Sequence, residues 1–334
     1  MQKLQQIPSI FIFIFFILLL TISFLIFRNT FVKESTSDEL KLGYIKVMAE
    51  LPMYIAYDQG YFEEEGLNIT LVPSGYKEEM DALIRGDIDI IPATSLTLPF
   101  GIELQSPGQI KIFHLGGIND NDDEIVEGIL VHKNSNIKTI TDLIGKNIGV
   151  PEGSVDYFVI KTVLEKIGLS PKENNISIKQ MGKELLPQAF ISNNVDAIYL
   201  TQPQLTSVQR QTNSKFLIVN PRPKYVLNPF WSGGGVVTTK FLTNENNQIL
   251  FDKYLRAFDK AIDYMRENPI EAKNLLVKYA DIDSDLTDEM GNYFKTKSNE
   301  DVDLESLQKI ANIYKDVGIL TNNIDVSNLL LIQE

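Results

Sequence analysis

Four short stretches concentrate the residues able to hold a small polar molecule. They are Ala49-Glu50-Leu51-Pro52-Met53-Tyr54, Pro92-Ala93-Thr94-Ser95, Pro151-Glu152-Gly153-Ser154-Val155-Asp156 and Thr201-Gln202-Pro203. Each falls where a β-type run gives way to a helical pattern. The first N–H groups of a helix have no intrahelical acceptor, and the helix dipole places partial positive charge there. Hydroxyl, amide and bare backbone donors at such a place suit reversible capture by hydrogen bonds. Open α/β sheets bind their ligands beyond the carboxyl ends of the strands, where these junctions lie. Read singly, Thr94, Ser95 and Ser154 would serve equally well as helix N-caps. Four junctions shared between two units point to a common cleft.

Bond-making chemistry has little to work with. The chain has no cysteine and two histidines, His114 and His132, both inside strand-like runs where a structural role is expected. Disulfides, thiolate nucleophiles, cysteine-bound zinc, iron–sulfur clusters and a three-histidine metal site are excluded. No G-x-S-x-G elbow, P-loop or G-x-G-x-x-G fingerprint occurs. Asn119-Asp-Asn-Asp-Asp-Glu124 is rich in oxygen ligands. It lacks the glycine and distal glutamate of an EF-hand and reads as a solvated loop. The expectation is therefore a binding protein with no catalytic residue, no metal and no cofactor. The formal charge of −13 also opposes nucleic-acid binding, which needs cationic surface.

The elements that would position these junctions follow from periodicity. The 334 residues suffice for two domains or lobes. Strands are expected at 42–47, 68–73, 88–92, 111–115, 128–132, 147–150, 176–180, 196–200, 215–220 and 236–241. Helices are expected between them, among them 77–85, 95–104, 154–167, 184–193 and 202–212. Strands alternating with helices at this spacing imply parallel pairing with crossover helices. Three prolines in 221–229 interrupt the pattern. The tail reads as helical. Leu250, Tyr254, Leu255, Phe258, Ala261, Ile262 and Met265 mark one face, Pro269 starts a further helix, and 304–317 is the last long one.

The order of these features resembles a family. Pro52-Met-Tyr-Ile-Ala-Tyr-Asp-Gln-Gly-Tyr-Phe-Glu-Glu-Glu-Gly-Leu67 is similar to the opening signature of periplasmic-type solute-binding proteins of the nitrate/sulfonate/taurine and thiamine-pyrimidine group. Leu83-Ile-Arg-Gly-Asp-Ile-Asp-Ile90, Gly128-Ile-Leu-Val-His-Lys133, Ile140-Thr-Asp-Leu-Ile-Gly-Lys146, Asn147-Ile-Gly-Val-Pro-Glu-Gly-Ser154 and Asn194-Val-Asp-Ala-Ile198 resemble later signatures in the same order. The resemblance implies an α/β, two-lobed fold of the type II periplasmic-binding-protein kind: two mixed sheets with flanking helices, joined by hinge crossovers. It implies lobe 1 at 38–128 plus 230–334 and lobe 2 at 129–229, with the hinge near 128–131 and 230–236. It implies capture of a small solute and delivery to the permease and ATPase subunits of an ABC transporter. Solute contacts carried over by position are Glu50, Met53, Tyr54, Thr94, Ser95, Gly153, Ser154, Val155, Thr201 and Gln202. Trp231 is a further candidate that could stack on a planar solute or sit in the core.

Two departures matter. The family's lipidated cysteine is missing, and the mapped loops hold no Lys or Arg. Glu50 and Glu152 would oppose an anion if they face the cleft, which shifts the expectation toward a neutral, cationic or aromatic solute. A sensor domain acting through a partner protein is an alternative. A pyrimidine-synthase-like enzyme is another, although that family relies on a histidine and a cysteine-rich motif. Ile7 to Phe27 is a 21-residue uncharged run, long enough to span a bilayer. It reads as an uncleaved signal-anchor holding a monomer on the extracytoplasmic face, followed by a linker to residue 37. A cleaved signal and a buried helix are the alternatives.

Overall fold

The computed structural model describes residues 38–331 apart from 153, 154, 183, 299, 301 and 303. The expected anchor at 7–27 lies outside the described residues. Among the described residues, no helix is long and apolar enough to cross a membrane.

The chain begins with β1 (Glu39–Tyr44), a 3-10 turn (Met48–Glu50), α1 (Leu51–Asp58) and α2 (Tyr61–Glu64). Alternation continues through β2 (Asn68–Pro73), α3 (Tyr76–Arg85), β3 (Ile90–Ser95), α4 (Thr97–Gln105) and β4 (Ile110–Ile118). A second series follows: β5 (Glu127–His132), β6 (Asn147–Pro151), α5 (Asp156–Lys166), β7 (Ser177–Met181), α6 (Leu186–Ile191), β8 (Ala197–Thr201), α7 (Gln204–Thr212), β9 (Ser214–Val219) and α8 (Pro221–Tyr225). The chain then returns through β10 (Phe230–Thr238), α9 (Thr239–Leu242), α10 (Glu245–Glu267), α11 (Pro269–Tyr279), β11 (Phe294–Lys295) and α12 (Leu304–Asp316).

Two mixed sheets result, ordered β11-β4-β10-β3-β1-β2 and β7-β6-β8-β5-β9. In the first, β1 runs parallel to β3, whereas β10 runs antiparallel to β3 and β4. In the second, β6 runs parallel to β7 and β8, and β5 runs antiparallel to β8 and β9. The chain passes between the sheets twice, at 119–126 and 220–229. The expected hinge positions at 128–131 and 230–236 differ from this. They lie inside β5 and β10, where ladder hydrogen bonds hold the backbone.

Local sequence explains the elements. Pro52 stands in the first turn of α1, where its missing N–H costs nothing. The Asn244 side chain starts α10 by accepting from the amides of Asn246 and Asn247 at 3.0 and 3.2 Å. The expected apolar stripe of α10 is buried against α1, with Tyr254 and Phe258 packing their rings against Phe113 of β4. Each sheet has an apolar core on both faces. That matches the near-continuous apolar runs of β3 and β5, because strands buried on two sides have no polar face to show. Val159 and Val163 of α5 share a core with Leu307 and Tyr314 of α12, so the last helix packs against an element of the second series.

The first crossing is clamped by Asn220, a buried residue with left-handed backbone (φ 46°). Its Nδ2 donates to the carbonyls of Asn121 and Glu124 at 2.8 and 3.0 Å, and its Oδ1 accepts from the amide of Val126 at 3.0 Å. One side chain thus ties both crossing segments together.

Candidate functional site

Glu50 ends the turn after β1, Glu79 sits in the first turn of α3 after β2, and Thr94 and Ser95 end β3. All stand at the carboxyl edge of the first sheet, as the sequence implies for Glu50, Thr94 and Ser95. Glu50 is fully buried, and both of its carboxylate oxygens lack a hydrogen-bond partner. Glu79 is buried in the same condition, as are the Thr94 hydroxyl and the Tyr254 phenol from α10. Ser95 is half-buried, its hydroxyl 3.0 Å from that of Thr97.

A cation reaches this edge from far along the chain. β11 has two residues and pairs with β4, placing Lys295 opposite Gly116. Across the sheet the register continues from Gly116 to Gly233 and from Gly233 to Ser95. Close approach of backbone requires glycine at 233, and Gly116 leaves the room that the Lys295 side chain fills. A Cβ on Gly116 would lie 2.5 Å from Lys295 Nζ, and one on Gly233 would lie 2.5 Å from the Thr94 carbonyl oxygen. Lys295 is buried, and its Nζ donates no hydrogen bond among the described residues. Tyr293, two residues earlier, has its ring centroid 5.7 Å from that ammonium.

The electrostatics follow from burial. Loss of water, and then the like charge of Glu79, push the Glu50 carboxyl well above the ordinary range. Lys295 opposes this, as does the Ile45 amide, which does not reach good hydrogen-bonding geometry. Burial pushes Glu79 up to about 8 and pulls Lys295 down to about 8, the latter against the attraction of Glu50. His114 is buried beside them and lowered to about 3, chiefly by burial, with Lys295 adding to it. Its Nε2 lies 2.6 Å from the Pro92 carbonyl, which can only accept, so the neutral ring carries its proton there and Nδ1 is the unpartnered atom.

The second sheet contributes Val155, at the start of α5, and Thr201, at the end of β8, both half-buried. Gly153 and Ser154 lie outside the described residues. Beside Thr201 is a buried network. Glu127 of β5 accepts from the Arg222 guanidinium Nε, from the Arg222 amide at 2.8 Å and from the Tyr199 hydroxyl at 2.5 Å. Arg222 and Asp156 also interact electrostatically with the half-buried Tyr293. The segment carrying Tyr293 and Lys295 therefore joins the carboxyl edge of one sheet to that of the other.

Three expected contacts, Met53, Tyr54 and Gln202, differ from the sequence reading, and Trp231 takes the core place that was one of its two readings. Met53 and Tyr54 are fully buried in the core, because α1 turns that face onto α10 and α11. Tyr54 stacks on Tyr279 at 5.1 Å and donates to the Ile45 carbonyl at 3.0 Å. Gln202 is held at both ends: its Nε2 donates to the Ile125 carbonyl at 3.0 Å and its Oε1 accepts from the Thr206 hydroxyl at 2.9 Å. Trp231 is a core residue whose Nε1 donates to Ser306 Oγ at 2.6 Å. Glu152 is exposed. The loops themselves lack Lys and Arg as read, yet Lys295 and Arg222 reach the site from outside them. Neither was legible, because a two-residue strand has no period and Arg222 lies in a stretch marked only by its prolines.

Two mixed sheets crossed twice, with polar groups gathered at their joined carboxyl edges, define the periplasmic-binding-protein fold. A family model described as "NMT1/THI5 like" matches residues 49–272, and the chain belongs to that family. A putative aliphatic sulfonates-binding protein of Bacillus subtilis is 26% identical over 263 residues, covering 75% of this chain and 72% of that one. The formylaminopyrimidine-binding protein of Halalkalibacterium halodurans is 25% identical over 283 residues, covering 79% and 78%. Among solved structures, the periplasmic aliphatic sulphonate-binding protein SsuA from Escherichia coli matches with a TM-score of 0.72 at 19% identity, covering 89% of this chain and 93% of that one. The desulfurization enzyme DSZB matches at 0.65 and 13% identity, covering 89% and 97%, so the same fold also carries an enzyme.

Proposed function

We propose that this chain is the extracytoplasmic solute-binding component of an ABC importer. It captures a small polar or aromatic molecule between lobes 38–128 plus 230–334 and 129–229. The observation that carries this reading is the set of buried, unpartnered polar atoms at one carboxyl edge: the Glu50 carboxylate and the Thr94 hydroxyl, beside Lys295. Folded proteins leave few such groups unpaired, so each one calls for an occupant. Thr94 and Ser95 from the first lobe and Gly153, Ser154, Val155 and Thr201 from the second are the proposed contacts. Lys295 joins them.

The crossings at 119–126 and 220–229 would act as the hinge. A solute that bonds to both lobes favours the conformation that brings them together, and permease and ATPase subunits would read that conformation. A helix at 7–27 would hold a monomer at the membrane. Binding rather than catalysis is supported by the histidines. The His114 ring is committed to the Pro92 carbonyl, and His132 stacks on Phe190 and bonds to its carbonyl at 3.0 Å.

The test is a thermal-shift screen of the full chain against sulfonates, taurine, nitrate, thiamine pyrimidines, riboflavin and amino acids. A ligand at 100 times its Kd stabilises by about 2.7 kcal/mol. One chemical class should raise the melting temperature. A folded chain that responds to none of them, and that turns one of them over or binds a protein partner, would overturn the reading.

A further inference from the structure

The chain between α11 and β11 fastens the two sheets together at a place the crossings do not reach. It includes a 3-10 turn, Ser284–Glu289. Leu286 and Met290 are buried in the core shared with α1, α10 and α11, and Thr287 Oγ1 donates to Asn274 Oδ1 at 3.1 Å. The Lys273 ammonium of α11 donates to the Met290 carbonyl at 2.9 Å. The turn is therefore fixed to the first sheet. The residues after it meet the first crossing. The Gly291 amide donates to the Ile125 carbonyl at 3.1 Å, and the Asn292 amide to the Glu124 carboxylate at 2.8 Å. A Cβ on Gly291 would stand 2.4 Å from the Glu124 carbonyl carbon and from the Ile125 nitrogen, so backbone lies on backbone here and only glycine fits. The same Ile125 oxygen accepts from Gln202 Nε2 at 3.0 Å, just before α7.

Arg210 makes a second attachment farther along α7. Its Nε and one terminal nitrogen donate to the two oxygens of Glu289 at 3.0 and 2.7 Å, and the other terminal nitrogen donates to Asp285 at 3.1 Å. Both acids stand on the 3-10 turn, while Leu205 and Val208 bury α7 on the second sheet. Among the described residues, no other ion pair ties a helix of the second sheet to the chain beyond β10. Arg210 lies about 9 Å along α7 from Gln204. One attachment is a pivot, whereas two this far apart fix an angle. The inner one sits on the crossing and turns with it; the outer one is carried farthest by any rotation.

We propose that Arg210, Asp285 and Glu289 form a latch between the lobes. It holds α7 to the 3-10 turn in the arrangement seen here and must break when the lobes turn about 119–126 and 220–229. The proposal rests on the hinge reading above and goes beyond it by naming the contact that sets the resting angle. A planar guanidinium that grips one carboxylate with two parallel bonds is directional as well as attractive, which an ammonium is not. An exposed pair adds little against unfolding. Against a balance between two lobe arrangements, its worth of up to about fivefold in their ratio is enough to move the resting population.

The chain has no cysteine, so two introduced ones give a clean pair of spin labels. Asp81→Cys in α3 and Lys172→Cys after α5 are exposed sites, one on each proposed lobe. Pulsed dipolar spectroscopy on the full chain, with no solute added, reads the distance between them. Arg210→Gln should change the ratio of the lobe arrangements by about threefold to fivefold. Salt at about 1 M should do the same to the wild type by screening the pair. Arg210→Glu should shift the ratio further, and Arg210→Glu combined with Glu289→Arg should recover most of it. That recovery, with melting temperatures little changed, separates a latch from a residue that merely supports the fold.

A distance distribution that neither Arg210 variant nor salt moves would overturn the proposal. A shift that the exchanged pair does not recover would overturn it too, by making Arg210 a support of local structure. Neither result involves a solute. Failure here leaves the solute-binding reading standing, and an empty solute screen leaves the latch to be decided by these distances.

Discussion

Glu79 offers a quantitative test of the buried cluster. Its carboxyl titrates near 8 in the folded chain because burial penalises the anion, against about 4.3 when exposed to water. Between those values the folded state holds a proton that the unfolded state releases. Stability is therefore fully present at low pH and is lost as pH rises toward 8, by up to about 1.4 kcal/mol per unit. His114 works in the opposite direction. Lowered to about 3, it binds its proton only on unfolding and adds stability as pH rises to about 6.5. The two slopes offset each other between about 4.5 and 6.5. Above that window His114 is spent and Glu79 acts with Glu50, whose shift has the same sign. From pH 6.5 to 8 the Glu79 share of the loss is about 2 kcal/mol, or about 3 °C in Tm for a chain of this size. Beyond 8 the Glu79 loss is complete, and Lys295, lowered to about 8, gives up its proton in the folded state first, which adds stability with rising pH. The fall is therefore steeper below pH 8 than above it. Urea unfolding in half-unit pH steps would read it, followed by the fluorescence of Trp231, the single and buried tryptophan. Glu79→Gln should remove about 2 kcal/mol of the fall and leave the shallower slope of Glu50. A wild-type profile that rises from 6.5 to 8, or a variant slope parallel to it, would refute the assignment.

Three further outcomes are expected. Arg222→Met should destabilise by about 3–5 kcal/mol, because it strands the buried Glu127 carboxylate. The double variant with Glu127→Gln should recover most of that loss, and urea midpoints decide it. Trp231→Phe should cost about 1 kcal/mol through the lost bond to Ser306 and leave solute affinity unchanged; a tenfold weaker Kd would return Trp231 to the solute contacts. Ser154→Ala should weaken solute binding by about 1 kcal/mol, roughly fivefold in Kd, with the apo melting temperature unmoved. Unchanged affinity with a lower apo melting temperature would make Ser154 a helix cap only.

Much of the fold is legible because local rules and tertiary packing agree. The α10 stripe, the Pro269 helix start and the apolar run of β3 all appear where periodicity places them. Disagreement falls where one residue type serves two environments. A strand was expected at 42–47, but β1 ends at Tyr44. Ile45 is buried, as a strand residue would be, yet its carbonyl accepts from the Val47 amide and the Tyr54 hydroxyl and so belongs to a turn. Met53 and Tyr54 follow a ligand-type junction in sequence, but a helix start has an inner and an outer face, and spacing from the junction does not say which is which.

The charge of the site shows why local reading stops short. Glu50 was legible as a group hostile to anions, since it sits one residue before a helix at a strand end. Its surroundings were not, because they are assembled from positions more than two hundred residues apart. Glu79 comes from α3, His114 from the middle of a strand and Lys295 from a two-residue strand in a tail that reads as helical. What brings Lys295 in is the room above Gly116 and the register of β11 with β4, and neither leaves a periodic trace. A lysine in the cleft would ordinarily argue for an anionic solute. Here burial pushes the neighbouring Glu50 and Glu79 toward their neutral forms and pulls Lys295 toward its own. The charge of the assembled site is therefore set jointly by Glu50, Glu79 and Lys295, and no one of them read alone gives it.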